Sequence, residues 1–331
     1  MRTIRLEAPG RFASADTTPP PAPGPGEVLV RVLTVGICGT DLHAFEGTQP
    51  FFEYPRILGH ELAVEVVRAG DGVEGLKPGD RCAVNPYLTC GKCVACLRGR
   101  TNCCARMRVF GVHMDGGMRD CVLLPAPHLY PCTLAPELVP LVETLAVGCH
   151  AVGRAAVPAG ERAIVVGAGP IGLSVMEFLR LVGADFGVIE KLPERLAFAA
   201  RHFGLRRHYP SHQEARQETP SWLVFDCTGD RESMQQSIHL LDQGGTLVFV
   251  GLINDHFSIF DPDIHRREAT ILASRNSVPA EHHRVLQAME AGQIDVRAWP
   301  TEFAPAERMA GRFPAWVHRE AGIVKAVVDW S

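Results

Sequence analysis

The stretch between residues 161 and 275 constrains the fold most, because short apolar runs alternate there with segments of helical period. The first run leads into the glycine-rich string Val-Val-Gly-Ala-Gly-Pro-Ile-Gly at residues 165–172, and a helical segment follows. Apolar runs separated by helices are typical of parallel strands that are covered on both faces. The sequence therefore predicts a parallel, doubly wound sheet over this part of the chain.

The glycine-rich string carries the pattern G-x-G-x-x-G between a predicted strand and a predicted helix. Glycines at those positions allow a tight turn and let a pyrophosphate approach the N-terminus of the helix, which favours a dinucleotide cofactor. A glycine turn without a cofactor is the structural alternative. We expect the cofactor to contact Gly167, Gly169, Pro170, Ile171 and Gly172.

An acidic residue, Glu190, ends the second predicted strand. In dinucleotide-binding folds, an acid at this point accepts hydrogen bonds from ribose hydroxyls, and its charge repels a 2′-phosphate. The sequence therefore favours NAD over NADP. Two basic residues nearby, Lys191 and Arg195, leave NADP open, and Arg195 is a candidate cofactor contact.

Residues 85–108 form a cysteine-rich lobe with the spacing C-x2-C-x2-C-x7-C. Four thiolates so spaced can close tetrahedrally around one zinc ion, which makes a structural site with no open position. An iron–sulfur cluster is one alternative, but the C-x3-C-P of the bacterial pattern does not follow. A nucleic-acid-binding zinc ribbon would need two C-x2-C pairs farther apart. The predicted ligands are Cys90, Cys93, Cys96 and Cys104, and Cys103 could replace the last.

A second group of potential metal ligands lies within residues 38–61, which begin Cys-Gly-Thr-Asp-Leu-His and end Gly-His-Glu. A thiol, imidazoles and carboxylates together suit a borderline-soft metal, with zinc as the first candidate. One cysteine, one histidine and one glutamate would leave a coordination position open for a substrate oxygen. The alternative is a buried cysteine, a capping aspartate and surface histidines.

The composition limits the partners of the chain. Its 331 residues are 46% hydrophobic and can bury a sizeable core, and a formal net charge of −4 gives no footprint for nucleic acid or a membrane surface. No apolar run approaches the roughly 20 residues of a membrane span. Eleven cysteines without a signal peptide argue for reduced thiols in a cytoplasmic protein. We expect a small-molecule partner.

The change of period divides the chain into parts. Short strands with Gly and Pro turns in the first part predict a small β-barrel. We predict a zinc-binding catalytic domain over residues 1–150 and a cofactor domain over residues 151–290. The tail, residues 291–331, ends in an apolar β segment without a partner helix, so we expect it to return to the sheet of the first domain.

These motifs, in this order, resemble the zinc-dependent medium-chain dehydrogenase/reductase family over essentially the whole chain. The resemblance implies an α/β protein with a GroES-like β-barrel catalytic domain, a Rossmann cofactor domain and a homo-oligomeric state. The insert at residues 51–58 and the segment Ser-Arg-Asn-Ser at residues 274–277 are similar to bacterial sugar-acid and polyol dehydrogenases of the family, the galactonate-type members in particular.

The resemblance also implies roles for single residues. Cys38, His60 and Glu61 would hold a catalytic zinc ion, and Glu143, which is a cysteine in simple alcohol dehydrogenases, would bind it directly or through water. Thr40 and His43 match the proton relay of the family, in which a hydroxyl takes the alcohol proton and passes it through the cofactor ribose to the histidine. Arg275 would lie near the nicotinamide, where it could pair with a substrate carboxylate, neutralise the pyrophosphate or bridge domains.

The implied activity is the oxidation of a secondary hydroxyl of a polyol, sugar acid or hydroxy-amino acid to a ketone, with two zinc ions per chain and NAD. A threonine or short-diol dehydrogenase is the runner-up. A zinc- and NAD-binding protein without turnover is the alternative from a different class. The chain departs from the family at residues 204–222, where prolines and charged residues leave little room for the usual strand and helix of the cofactor domain.

Overall fold

The structure is a computed structural model. It describes residues 1–50, 52–218, 220–318 and 322–331. The backbone divides into two compact units, of which one comprises Met1–Glu143 and Val278–Ser331 and the other comprises Thr144–Ser277.

This division differs from the predicted domain limits at helix Pro279–Glu290, which the sequence placed in the cofactor domain. The helix belongs to the first unit. Its buried side holds it there, since the ring of His282 stacks on Tyr130 with centroids 5.3 Å apart. A helical period alone does not tell which sheet a helix covers.

The N-terminal part of the first unit consists mainly of short strands. These are β1 Arg2–Ala8, β2 Arg11–Asp16, β3 Glu27–Gly36, β4 Glu61–Ala69, β5 Arg81–Val84, β6 Tyr87–Leu88, β7 Arg108–Val109, β8 Cys121–Pro125 and β9 Leu129–Pro131. The helices are α1 Gly39–Glu46 and α2 Val94–Leu97, with 3-10 turns at Thr101–Cys103 and Ala126–His128. In β3, buried Val28, Val30 and Val32 alternate with less buried residues, which is the period of a strand with one face in the core.

Helix α3, Leu141–Ala155, leads into the second unit. Its strands are β10 Arg162–Val166, β11 Asp185–Ile189, β12 His208–Tyr209, β13 Ser221–Asp226, β14 Leu241–Phe249 and β15 Thr270–Ala273. Its helices are α4 Pro170–Leu181, α5 Pro193–Phe203, α6 His212–Ala215, α7 Arg231–Gln236 and α8 Asp261–His265, with a 3-10 turn at Ser237–Leu240. The six strands are parallel in the order β12-β11-β10-β13-β14-β15.

That strand order confirms the predicted doubly wound sheet. The order reverses between β10 and β13, and in such sheets a ligand binds outside the carboxyl ends of the strands at the point of reversal. The glycine-rich string follows β10 directly. In the shortened crossover, β12 has only 2 residues and α6 only 4.

The tail of the chain completes the first unit with α9 Pro279–Glu290, β16 Pro300–Pro305, α10 Ala306–Val317 and β17 Lys325–Asp329. The main sheet has the order β16-β17-β3-β4-β5-β9, with β8 also paired to β3. Strand β17 runs antiparallel to β3, with Val327 opposite Gly36. The last strand of the chain therefore lies beside the strand that leads to Cys38.

Candidate active site

The pairing of β3 with β4 brings the predicted catalytic ligands together. Gly36, at the end of β3, is opposite Glu61, at the start of β4. Cys38 follows β3 and is the N-cap of α1, so its thiol lies beside His60 and Glu61. One ligand atom from each of these three residues lies within 4.8 Å of the other two. His60 and Glu61 are buried, and Cys38 is half-buried.

Gly36 makes room for the Glu61 carboxylate. A Cβ at this position would overlap Oε2 of Glu61 and would lie 2.9 Å from Cβ of Pro140. A methyl group there would require the carboxylate and Pro140 to shift, which explains why glycine stands at the end of β3.

Asp41 supports two of the three potential ligands from behind. It is fully buried, and its Oδ2 accepts a hydrogen bond of 2.9 Å from the backbone N–H of Cys38. Its Oδ1 lies 3.7 Å from Nδ1 of His60, and neither atom has a hydrogen-bond partner among the described residues. Burial raises the pKa of Asp41. Burial by itself lowers the pKa of His60, but Asp41 and Cys38 raise it well above its ordinary value.

Thr40 and His43 lie one turn apart on α1, the helix that Cys38 caps. Thr40 is half-buried, and the side chain of His43 is 51% exposed. Nδ1 of His43 lies 3.2 Å from the hydroxyl of Thr48 and 3.5 Å from the carboxylate of Glu46. The imidazole therefore has polar neighbours on one side of its ring and solvent around the rest.

The four predicted cysteines of the lobe converge as a second group. Their sulfur atoms all lie within 4.8 Å of one another, and the sulfurs of Cys93 and Cys96 are 3.5 Å apart. The sulfur of Cys104 accepts hydrogen bonds of 3.3 Å from the backbone N–H groups of Cys90 and Arg106. Backbone N–H groups lower the pKa of Cys93 to about 6. Cys103 is exposed and lies outside the group that the described residues form.

The glycine-rich string forms the expected tight turn at the end of β10. Gly167 has φ +94°, which other residues rarely adopt, and a Cβ on Gly172 would overlap the carbonyl oxygen of Gly167. Gly169 is the N-cap of α4, and Pro170 is its first residue. The guanidinium of Arg195 lies 3.7 Å from where a Cβ of Gly169 would stand. The five residues of this string that we expect to contact the cofactor, Ile171 among them, therefore lie at or next to the N-terminus of α4.

The carboxylate of Glu190 ties this turn to the end of β11. Its Oε2 accepts a hydrogen bond of 2.8 Å from the N–H of Ala168, and its Oε1 accepts one of 2.9 Å from Leu192. Glu190 is only 8% exposed. Since each carboxylate oxygen has two lone pairs, the same group can still accept a ribose hydroxyl.

Comparison with known proteins adds to this geometry. Residues 24–136 match the model of the alcohol dehydrogenase GroES-like domain, and residues 170–291 match that of the zinc-binding dehydrogenase family. The chain is 37% identical over 318 residues to an L-galactonate-5-dehydrogenase of Escherichia coli K12, covering 94% of each chain. It belongs to the zinc-type medium-chain alcohol dehydrogenase family.

Solved structures agree with this family assignment and with both predicted domain folds. A proposed zinc-binding dehydrogenase of Sinorhizobium meliloti 1021, bound to NADP, is 30% identical, with a TM-score of 0.90 and coverage of 99% of each chain. An alcohol dehydrogenase of Escherichia coli CFT073, complexed with NADH, is 25% identical, with a TM-score of 0.91 and coverage of 100% of this chain and 99% of that one. Zinc and a nicotinamide dinucleotide therefore belong to the chemistry of this family.

Glu143 of the dehydrogenase is buried near the start of α3 but lies outside the group that Cys38, His60 and Glu61 form. The hydroxyl of Tyr87 donates a hydrogen bond to its Oε1. Burial raises the pKa of Glu143, and burial together with Glu143 raises the pKa of Tyr87 well above its ordinary value. Tyr87 could not be recognised from the sequence, because a tyrosine near the start of the cysteine-rich lobe gives no sign of its partner.

Lys325 is the second residue of the dehydrogenase that the sequence analysis missed. Its side chain is 2% exposed, and its Nζ donates a hydrogen bond of 2.6 Å to Oε1 of Glu61. A signal was present in the sequence, because a lone lysine stands in the apolar strand of the tail. Lysines are almost never fully buried unless they are paired.

Arg275, the predicted carboxylate partner, is exposed in the segment that follows β15 in the second unit. Of the insert that resembles galactonate-type members, Phe51 lies outside the described residues, whereas Phe52 and Tyr54 pack with ring centroids 4.8 Å apart.

Within the described ranges, no helix combines the length and apolarity that crossing a membrane requires.

Proposed function

We propose that the dehydrogenase oxidises a secondary hydroxyl of a sugar acid or related polyol to a ketone, with NAD as the hydride acceptor. The observation that carries the zinc-dependent chemistry is the convergence of half-buried Cys38 with buried His60 and Glu61. The sugar-acid class is supported by the 37% identity with an L-galactonate-5-dehydrogenase.

We assign the catalytic zinc to Cys38, His60 and Glu61. The donor types suit zinc, and the buried Nδ1 of His60 faces Asp41, as the outer nitrogen of a metal-bound histidine often faces a carboxylate. When bound, the two cofactors supply Lewis acidity toward a hydroxyl and a ring that accepts hydride. The protein itself orients two of the ligands, since Asp41 accepts a hydrogen bond from the N–H of Cys38 and faces Nδ1 of His60.

We assign proton removal to Thr40 and His43. Thr40 is half-buried and could accept the hydroxyl proton of the substrate, while the exposed ring of His43 could release it to solvent. Thr48 orients the ring through Nδ1.

In the lobe, Cys90, Cys93, Cys96 and Cys104 would hold a second, structural zinc, since four thiolates leave no open position.

Glu143 would then support the site through its hydrogen bond with Tyr87, because it is not one of the three proposed zinc ligands. We expect Tyr87→Phe to lower kcat by about 10-fold, as the loss of other supporting contacts around metal sites does, because the carboxylate loses its donor while the ring packing is kept. Kinetics and thermal unfolding would be compared with Tyr130→Phe, which also removes the hydroxyl of a buried tyrosine but leaves Glu143 untouched. Equal kinetics for Tyr87→Phe and the wild-type protein would contradict the role of this hydroxyl.

NAD is the proposed cofactor because Glu190 stands at the end of β11, although solved relatives hold either NADH or NADP. We expect Glu190→Ala to weaken NAD binding by about 10-fold, the size of one hydrogen bond to a charged group, and to weaken NADP binding less. Since Glu190 also binds Ala168, Glu190→Gln serves as the control that keeps an acceptor for that amide. A larger loss for NADP than for NAD would overturn the preference.

A cytoplasmic homo-oligomer is the proposed state. None of the eleven cysteines, each of them a described residue, is paired in a disulfide, which suits a reducing compartment. On the second unit, Leu252 and Phe260 are 64% and 70% exposed, and apolar side chains of this size often mark an interface.

The experiment that tests the proposed function is NADH formation by the zinc-loaded protein across aldonates, polyols, threonine and small alcohols. Turnover that is fastest with aldonates supports the sugar-acid assignment. Turnover confined to threonine or short diols moves the assignment to those substrates. Bound NAD and zinc with no turnover on any of them would favour the non-catalytic alternative.

A further inference from the structure

A fixed positive charge stands inside the proposed catalytic zinc site. Lys325 comes from the last strand of the chain, which is bound to the strand before Cys38: the N–H of Ile37 donates a hydrogen bond of 3.0 Å to the carbonyl of Ala326. The side chain of Lys325 is 2% exposed, and its ammonium contacts both oxygens of Glu61, with 2.6 Å to Oε1. This pair joins residues 264 positions apart.

Buried acidic groups surround the pair that Lys325 forms with Glu61. Asp41, Glu61 and Glu143 are at least 95% buried, and the nearby basic groups among the described residues are Lys325 and His60. The lysine is therefore a counter-charge for Glu61 among carboxylates that are almost fully buried.

The ammonium and a metal ion would require the same carboxylate. Glu61 belongs to the group of three potential ligands, yet both of its oxygens already contact Lys325. A divalent ion held by that group would also lie close to a fixed positive charge in a poorly screened place, where like charges repel strongly.

We propose that Lys325 is a positioning residue that competes with the catalytic zinc for Glu61 and so weakens zinc binding at this site. The inference rests on the proposed assignment of zinc to Cys38, His60 and Glu61. Without the lysine, Glu61 is an uncompensated buried carboxylate, and such a group gains more from binding a cation than a paired one does.

A purely structural role for Lys325 predicts the opposite sign. If the lysine only held Glu61 and β17 in place, its loss would loosen the ligand group, and zinc affinity would fall together with stability. The direction of the change in affinity therefore separates competition from simple support.

The test measures zinc affinity by competition with a chromogenic chelator. The zinc ion of this site is identified as the one that the wild-type protein binds and Cys38→Ser does not. Competition predicts that Lys325→Met binds this zinc at least about 10-fold more tightly, because one nearby charge is removed, while the metal-free protein unfolds at a lower temperature. Lys325→Arg keeps the charge and should bind zinc as the wild-type protein does. Lys325→Gln has the same predicted direction as Lys325→Met and serves if the methionine variant does not fold.

A matched control is Arg312→Met, which removes a cation paired to Glu302 at 2.7 Å on the neighbouring strand and helix. It should leave zinc affinity unchanged. Equal or weaker zinc binding in Lys325→Met and Lys325→Gln overturns the competition while the zinc assignment stands. If Cys38→Ser retains the full zinc content, the assignment itself is wrong, and the competition fails with it.

Discussion

Replacement of Cys38 by serine lowers turnover by about 10³-fold or more, because a catalytic metal contributes several kcal/mol of charge stabilisation and each 1.4 kcal/mol is a factor of ten in rate. NAD binding is expected to remain, since the glycine-rich turn and Glu190 belong to a different unit of the chain. Steady-state NADH formation, zinc content and NAD binding on the same preparation measure this.

The control for this substitution is Cys121→Ser. Cys121 is also half-buried in the first unit, but it belongs to neither group of potential metal ligands among the described residues. It should retain activity and zinc. Full activity of Cys38→Ser would remove this thiol, and with it the assigned zinc site, from the mechanism.

Replacement of Cys93 by serine is expected to destabilise the protein by about 3 kcal/mol or more, in the range that follows the loss of a structural metal site. The lobe between residues 85 and 108 contains only short elements, and Cys93 is the N-cap of its helix α2. If the four thiols lost their metal ion, the bonds that hold this segment together would be lost with it. Thermal unfolding and zinc content are the measurements.

Cys103→Ser is the matched control for the lobe, because Cys103 is the neighbour of Cys104 and yet is exposed and outside the group of four. It should change neither stability nor zinc content. An unchanged unfolding temperature for Cys93→Ser would show that the lobe holds its fold without a metal, and the assignment of a structural zinc would be wrong.

The parts of the fold that depend on local pattern could be predicted from the sequence. Apolar runs of four to six residues separated by helical segments gave the parallel sheet, and the left-handed φ of Gly167 explains why glycine stands at that turn. The cysteine lobe was equally readable, since its four sulfurs come from within 15 residues. The choice between Cys103 and Cys104 needed the structure, because adjacent residues of a turn point in different directions.

The contacts that join distant parts of the chain could not be predicted. Tyr87 meets Glu143 across 56 positions, and Lys325 meets Glu61 across 264. The first contact joins β6 to helix α3 and the second joins β17 to β4, and sequence periodicity does not specify which elements meet. Helix α9 was misplaced for the same reason, since its apolar face fits either sheet until the stacking of His282 on Tyr130 is known.

Glu190 shows a subtler limit. Its position at the end of β11 was predicted, but its two hydrogen bonds to the backbone of the glycine-rich turn and of Leu192 were not. The residue is thus both a candidate ribose acceptor and a brace of the turn, so the effect of its removal on cofactor affinity contains both contributions. The comparison of Glu190→Ala with Glu190→Gln separates them.

The zinc dependence of hydride transfer tests the central claim most directly. The protein is stripped of metal, titrated with zinc, and assayed for NADH formation on an aldonate at each step. We expect no turnover in the stripped protein, and recovery on addition of zinc in the wild-type protein but not in Cys38→Ser. Undiminished turnover of the metal-free protein, or zinc-restored turnover in Cys38→Ser, would contradict it.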